Sequence, residues 1–414
     1  MKAWVRVGVL AAMGALPMGA QQAGTVTGHV TCGDTQRPAR FAGVMLLGVP
    51  KESAGMVTPP PAPGADGMKA AMKAMDAIDV VQTETGMDGN YTAVNVAPGD
   101  YYVFASVPGY VQPAAMVQAA IDAGADPAKQ IPGIPMVHVG SDGGASADLT
   151  VQRGGAVSGH VMWDDGSPAA KAMVTVVSTK ESAKKMPPQF GMLGIAGGLG
   201  GSGILSISDD LGQYRIAGLA PGEYVVKATM QLHTGFAMAR GVMNLAGLGA
   251  NKPLVVYAPA ALHKADGKPV TVHAGDEITG EDVTVNLTGM HSVSGRVVSA
   301  EDGHGLNAGA VELKDASDKD VMRGAALDAS GNFTVEFVPP GTYNLTVTGG
   351  ADTEPSKKVP TGLIRFSMPD TVQSYEDGKQ SVVVTDTDVT GVNVALQPSK
   401  TVKTTPSRYE LLGH

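Results

Sequence analysis

The sequence predicts an all-β protein of three tandem antiparallel β-sandwiches with short helical or Gly-rich insertions. A V-x-G-x-V segment occurs three times, as VTGHV at 26–30, VSGHV at 157–161 and VSGRV at 293–297. A turn of Asp and Gly leading into an aromatic residue and then Pro-Gly-x-Tyr also occurs three times, from Asp88, Asp210 and Asp328. The chain has 414 residues, enough at roughly 150 per domain for about three cores.

Taken in chain order, residues 1–20 have the pattern of an export signal. Lys2 and Arg6 give a basic start, 7–16 an apolar run, and Met18, Gly19 and Ala20 a small-residue exit. Pro17, Gln21 and Gln22 end the run short of the roughly 20 apolar residues a bilayer requires. No later segment is long and apolar enough to span, so no transmembrane segment is expected in the mature chain. The expected location is the periplasm, the outer-membrane surface or the extracellular space. Cys32 is the single cysteine, which excludes an intramolecular disulfide, and its place in the first strand reads as a small buried hydrophobe. A net charge of −9 without clustered Lys or Arg argues against nucleic acid as a partner.

The three units are expected at 21–153, 154–289 and 290–398, followed by a tail at 399–414. Gly28, Gly159 and Gly295 of the opening strands lie 131 and 136 residues apart, a whole-domain spacing rather than a solenoid's. Within each unit an Asp-Gly turn starts a strand whose Tyr91 and Ala93, Tyr214 and Ile216, or Phe333 and Val335 share one face. Val96, Leu219 and Val338 then cap the core, and Pro98, Pro221 and Pro340 end the strand. Tyr101, Tyr224 and Tyr343 open the next strand, where a ring lies on the core and the hydroxyl finds a backbone partner at a sandwich corner. Each unit closes on ADLTV at 147–151, EDVTVNL at 281–287 or GVNVAL at 391–396, and the next unit follows almost at once. Such short links imply a stiff array.

The Asp-Gly-Asn-Tyr and Pro-Gly-x-Tyr landmarks resemble those of the carboxypeptidase regulatory-like domain, over nearly the whole mature chain. That resemblance implies an Ig-like, transthyretin-like sandwich of the carbohydrate-binding-like fold class, used as an accessory module rather than as a catalyst.

Insertions fall before the Asp-Gly turn and after the Tyr strand, where loops on a rigid scaffold carry function. The first unit has Pro59, Pro60, Pro61 and Pro63, then DGMKAAMKAMDAI from Asp66 with Met68, Met72 and Met75 at helical spacing, read as a helix on the sandwich. A second short helix is expected near Ala114. The second unit has an apolar, Gly-rich stretch from Met186 in which Gly198, Gly200 and Gly203 fall in GxGxxG spacing. No helix follows it, so it reads as a loop, one suited to a sticky contact at 192–203.

Catalytic patterns are missing. His263 and His273 reach only HxxD, and no Gly-x-Ser-x-Gly elbow is present. His29 and His160 share a strand position that Arg296 takes in the third unit, which fits a solvent-facing site. Asp386 and Asp388 suggest a calcium loop, but Gln397 stands where its bidentate glutamate would be. Asn286 and Asn393 lie near closing strands without an opening-strand lysine to cross-link. Trp163 shares parity with Val161 and is expected to point inward.

The chain is therefore expected to be a non-enzymatic, exported cell-envelope scaffold or adhesion module, with no catalytic, cofactor-binding or metal residues. An envelope protein or polysaccharide is the expected partner. The alternative is a carbohydrate-binding protein holding envelope or environmental polysaccharide.

Overall fold

The computed structural model describes residues 23–49, 78–126, 130–140, 143–180, 190, 205–230, 253–318, 321–355 and 369–400. Three β-sandwiches follow one another along the chain, each around its own core. In the first, the opening strand Gly24–Cys32 has Asn90–Val96 antiparallel on one side and the short pieces Gly144–Ser146 and Leu149–Val151 parallel on the other. Its facing sheet runs in the order Val80–Glu84, Gly43–Gly48, Gly99–Ser106, Met136–Val139, all antiparallel.

The second sandwich repeats this with Gly155–Trp163 between Gln213–Leu219 and the parallel pieces Glu277–Ile278 and Val283–Val285. Facing it are Leu205–Ile207, Met173–Ser178 and Gly222–Met230, with Leu254–Tyr257 and Pro269–Val272 along the far edge. The third has His291–Ser299 between Asn332–Val338 and the parallel Val389–Leu396. Its facing sheet is Met322–Ala326, Ala308–Asp315 and Gly341–Glu354, with Asp370–Ser374 and Gly378–Val384 beyond. The closing strands are thus parallel to the opening ones in otherwise antiparallel sandwiches, a direction that side-chain alternation does not encode.

The three equivalent glycines of the opening strands make room for that closing strand. A Cβ on Gly28, Gly159 or Gly295 would stand 1.9, 2.5 or 1.8 Å from the carbonyl oxygen of Ala147, Glu281 or Val392. In the first two units the same oxygen accepts the hydroxyl of Tyr91, at 2.7 Å, or of Tyr214. The third unit has Phe333 there and no hydroxyl.

The Asp-Gly turn closes a five-residue loop. Gly86 N donates to Asn90 O at 2.8 Å, Asp209 N to Gln213 O at 3.0 Å, and Asp328 N to Asn332 O at 2.8 Å. Gly89, Gly212 and Gly331 hold the left-handed position at φ +80°, +74° and +82°. Asp209 Oδ1 accepts the amides of Leu211 (3.0 Å) and Gln213 (2.7 Å), and Asp328 Oδ1 those of Ser330 and Asn332, both at 2.8 Å. The second turn therefore begins at Asp209, one residue before the Asp210 expected from the motif. In the first unit Gly86 takes that place and Asp88 caps from inside the loop, its Oδ1 accepting Asn90 N at 3.1 Å.

The strand that follows buries Tyr91 and Ala93, Tyr214 and Ile216, Phe333 and Val335, as alternation requires. The cap residue then comes three positions on, at Val96, Leu219 and Val338, because the register slips at a bulge. Asn95, Gly218 and Phe337 make that bulge, at φ +59°, +77° and +55°. At the corner, Tyr101, Tyr224 and Tyr343 donate to the carbonyls of Ala97 (2.9 Å), Ala220 (2.8 Å) and Pro339 (2.8 Å). Cys32 is buried in the first core, and Trp163 packs, partly buried, against the second.

The expected helix near Ala114 is Pro113–Asp122, begun by a proline at its first position and burying Val117 and Ile121 one turn apart. It covers the outer face of the first unit's facing sheet and forms a fourth apolar cluster with Leu47, Tyr102, Phe104, Ile131, Ile134 and Phe190. Phe190 comes from the second unit's insertion, is fully buried, and meets the Tyr102 ring at 5.4 Å. The expected helix at 66–78 and the sticky loop at 192–203 lie outside the described residues, apart from Ile78.

Direct bonds join the units. Gly154 N donates to Gly109 O at 3.1 Å and Gln112 N to Gly218 O at 3.2 Å. At the end of the first unit, Arg153 lies 5.2 Å from the centre of the Tyr110 ring and braces the segment that makes these bonds. A Cβ on Gly218 would stand 2.5 Å from Tyr110 O, so the second unit's bulge accepts its predecessor only as glycine. Between the second and third units, His263 Nδ1 faces Asp318 Oδ2 at 3.3 Å.

Candidate functional site

Among the described residues, a cluster of four titratable side chains lies at one end of the third sandwich. There the opening strand runs out at Ser299 and turns: Ser299 N donates to His304 O at 2.8 Å and Gly303 N to Ser299 O at 3.0 Å. Gly303, at φ +78°, lets the turn reverse sharply enough to bring His304 back over Asp302. Asp302 Oδ1 accepts His304 N at 3.2 Å and faces His304 Nδ1 at 2.5 Å. On the other side, His304 Nε2 faces Asp352 Oδ2 at 3.0 Å, and Tyr375 donates its hydroxyl to that same oxygen at 2.8 Å. Asp352 comes from the end of the long strand Gly341–Glu354, and Tyr375 directly follows Asp370–Ser374. The Tyr375 and His304 rings meet edge to face at 6.4 Å and 70°.

The electrostatics follow from these contacts. Hydrogen bonds to Asp302 and then Asp352 raise the His304 pKa above the usual imidazole value. The His304 contacts in turn hold the Asp302 carboxyl below its usual range. Burial, with donation to Asp352, pushes the Tyr375 phenol up to about 12. The His304 side chain is 44% exposed, Asp302 64% and Asp352 25%, while Tyr375 is buried.

A histidine beside a carboxylate is the arrangement that orients a general base, but such a base keeps one ring nitrogen free to take a proton. Here both nitrogens of His304 face carboxylate oxygens, so the cluster fits a clamp that fastens a turn to two strands.

The first sandwich has a simpler version at the same end. Tyr110 donates to Asp34 Oδ1 at 2.8 Å. The Cys32 thiol beside its hydroxyl, burial and Asp34 together push the Tyr110 phenol up to about 12. In the second sandwich Asp165 instead accepts the Ser167 hydroxyl and amide at 2.5 and 2.9 Å. Cys32, Trp163 and Ser299 occupy one position, shown by Cys32 N to Arg37 O and Trp163 N to Ser167 O, both 2.8 Å. Only the third unit puts a histidine in this turn.

Other charged groups that the sequence singled out have structural work. His160 pairs with Asp282 at 3.2 Å and His273 with Asp276 at 2.9 Å, within its own turn. His29 is hydrogen-bonded to Thr31 and to Asp88 O. Asp388 Oδ1 accepts Ser292 N at 2.7 Å, which ties it to the opening strand beyond any solubilising role. Asn286 Oδ1 accepts Thr288 N at 2.8 Å. Arg323 is a buried cation whose Nε and Nη2 both reach Glu336 O, at 3.1 and 3.0 Å, and burial lowers it to about 10. It buckles the edge strand of one sheet to the neighbouring edge of the other. Among the described residues, no group of three His, Cys, Asp or Glu is placed to hold a metal ion, and no helix is long and apolar enough to cross a membrane.

Sequence reasoning did not single out His304, Asp302, Asp352 or Tyr375. The signal available was Asp302-Gly303-His304 in the turn that reads Asp165-Gly166-Ser167 one unit earlier. Asp352 and Tyr375 stand 48 and 71 residues from His304 and meet it only through the sheet.

The fold is thus a tandem array of transthyretin-like sandwiches. Residues 292–397, the third of them, match the family model of the carboxypeptidase regulatory-like domain. No curated protein matches the chain. Among solved structures, the Bacillus anthracis TIE protein is similar at 12% identity and a TM-score of 0.18, over 91% of this chain; the chain spans only 51% of that protein's length. A Streptococcal ancillary pilin is similar at 12% identity and a TM-score of 0.25, covering 91% of this chain and 99% of the pilin. The minor pilin of Streptococcus agalactiae gives 12% and 0.25, over 64% of this chain and 94% of its own. Likenesses of this size leave function to be argued from the chain's own residues.

Proposed function

We propose that this chain is an exported, non-catalytic scaffold of the cell envelope, with units at 21–153, 154–289 and 290–398 behind a signal at 1–20, and that it holds an envelope protein or polysaccharide through its insertions. The observation that carries the reading is the joint between the first two units. Gly109, Gln112, Gly154 and Gly218 exchange backbone hydrogen bonds across it, and Phe190 of the second unit is buried in the first. A linker that packs in this way supports an extended, semi-rigid spacer better than independent binding modules.

The repeat's aromatic residues support the same reading, since Tyr91, Tyr101, Tyr214, Phe333 and Tyr343 are all buried. A glycan platform needs flat exposed rings, and among the described residues Phe41 is the one large aromatic that stands well out, at 66% exposure. Small-angle scattering of the mature chain tests the scaffold: a single elongated envelope is expected, and a broad ensemble of hinge angles would refute it. Fractionation of the source cells with N-terminal sequencing tests export, the expected result being a mature start near residue 21 in an envelope or external fraction. Gel retention against a polysaccharide panel, with pull-down from envelope extract, decides the class of partner.

A further inference from the structure

We propose that the third sandwich contains an acid-tightened clamp, in which protonated His304 ties the turn at 300–306 to the strand ends bearing Asp352 and Tyr375. Geometry carries the argument. A neutral imidazole has one N–H and one lone pair, whereas ionised carboxylates only accept. With Asp302 Oδ1 at Nδ1 and Asp352 Oδ2 at Nε2, a neutral ring sets a lone pair against one carboxylate, and the imidazolium satisfies both. For the neutral ring only the Tyr375 hydroxyl, 3.4 Å from Nε2 and closer to Asp352 at 2.8 Å, is there to offset that lone pair. The Tyr375 hydroxyl, donated to Asp352 Oδ2, aims that oxygen at the ring.

The remaining facing groups are consistent with this. Ser299 lies beside Asp302 and Tyr375 and lowers both. Arg296 is the nearby cation, close to the turn at Gly305, and it is engaged through Nε with Ser330 O at 3.0 Å. What the clamp fastens is the end of the third core. Leu306 is fully buried behind the turn, and beside Tyr375 the last described residues are paired, Glu376 N with Gln397 O and Ser399 N with Ser374 O.

The signs define a window. A raised histidine contributes stability that is complete below its ordinary value of 6.5 and is lost as pH rises through the raised value. The lowered Asp302 contributes stability present above its ordinary 3.8 and lost as pH falls through the lowered value. Both contributions coexist between those two ordinary values. The clamp belongs to the folded chain and stands independently of export or of any partner.

The test uses the full chain, with imidazole titration by NMR and urea unfolding at pH 5.5 and 8.0. His304 is expected to titrate above 6.5, and Asp352→Asn to bring that midpoint down. The unfolding midpoint of the third unit is expected to be higher at pH 5.5 than at 8.0, by a margin that shrinks in His304→Gln. His304→Arg, charged at both values, is expected to lose the pH dependence of this site while keeping the acid-side stability. A wild-type His304 midpoint at or below 6.5, or the same pH dependence in wild type and His304→Gln, would overturn the proposal. If the variants do not fold, the wild-type titration alone decides.

Discussion

Two residue types do most of the positioning, and each has a clear penalty for replacement. A methyl at Gly28 or Gly295 would overlap the closing strand's carbonyl, with 1.9 and 1.8 Å between Cβ and oxygen. Gly295→Ala is therefore expected to destabilise the third unit by about 3 kcal/mol, at the upper end of overpacking costs, and Gly303→Ala, with nothing within 4 Å, to act only through its positive φ. Urea unfolding with a probe in the third unit separates them, and equal effects would contradict the close approach. Tyr343→Phe keeps the ring in the core but removes the bond to Pro339 O, for an expected loss of about 1 kcal/mol. A loss of about 3 kcal/mol or more would mean the ring had moved. The sequence already made these tyrosines structural, because Pro-Gly fixes the corner that the hydroxyl must span. The glycines stood out as landmarks without a reason, since the reason is a strand more than 90 residues away in the third unit and more than 115 in the others.

At the scale of elements, the turn strand shows how far a pattern can be read. Alternation placed Tyr91, Tyr214 and Phe333 on the core face, and the odd step to Val96, Leu219 and Val338 was visible but unexplained until the bulge supplied its cause. The parallel closing strand was hidden, because a short apolar alternation looks the same in either direction. The Asp302–His304–Asp352–Tyr375 cluster was hidden for a related reason: three elements supply its parts, and each part alone reads as ordinary loop polarity. The insertions read as departures from the repeat, yet the bearing of Phe190 was not legible, because its pocket belongs to the preceding unit. That side chain acts as a strut. Phe190→Ala is expected to leave a cavity in the cluster of Leu47, Tyr102 and Phe104, to cost about 3 kcal/mol, and to loosen the first joint. Scattering that shows an unchanged envelope would count against the strut.

For the whole molecule, the joints differ in kind. The first is made of backbone bonds and a buried phenylalanine, beside an arginine over a tyrosine ring. The second brings His263 to Asp318, with Asp315 also feeling the histidine's charge. His263→Ala is therefore expected to loosen the second joint and leave the first unchanged. Labels placed on the first and second units, and on the second and third, would show the difference by distance measurement, and equal responses would contradict it.

The bulge in the turn strand has a final consequence for how such a chain could be rearranged. All three units bend there, but Asn95 and Phe337 carry side chains where Gly218 carries none. The Tyr110–Gln112 segment of the first unit can sit only on the middle one, so the repeats are not interchangeable beads. A chain with its second and third units transposed would still fold three sandwiches, yet would present Phe337 to the first unit and leave that seam open. The seam depends on the side chain that Gly218 lacks, and with it on Gly154 and Phe190 of the same unit, which makes the linear order of the units part of the structure.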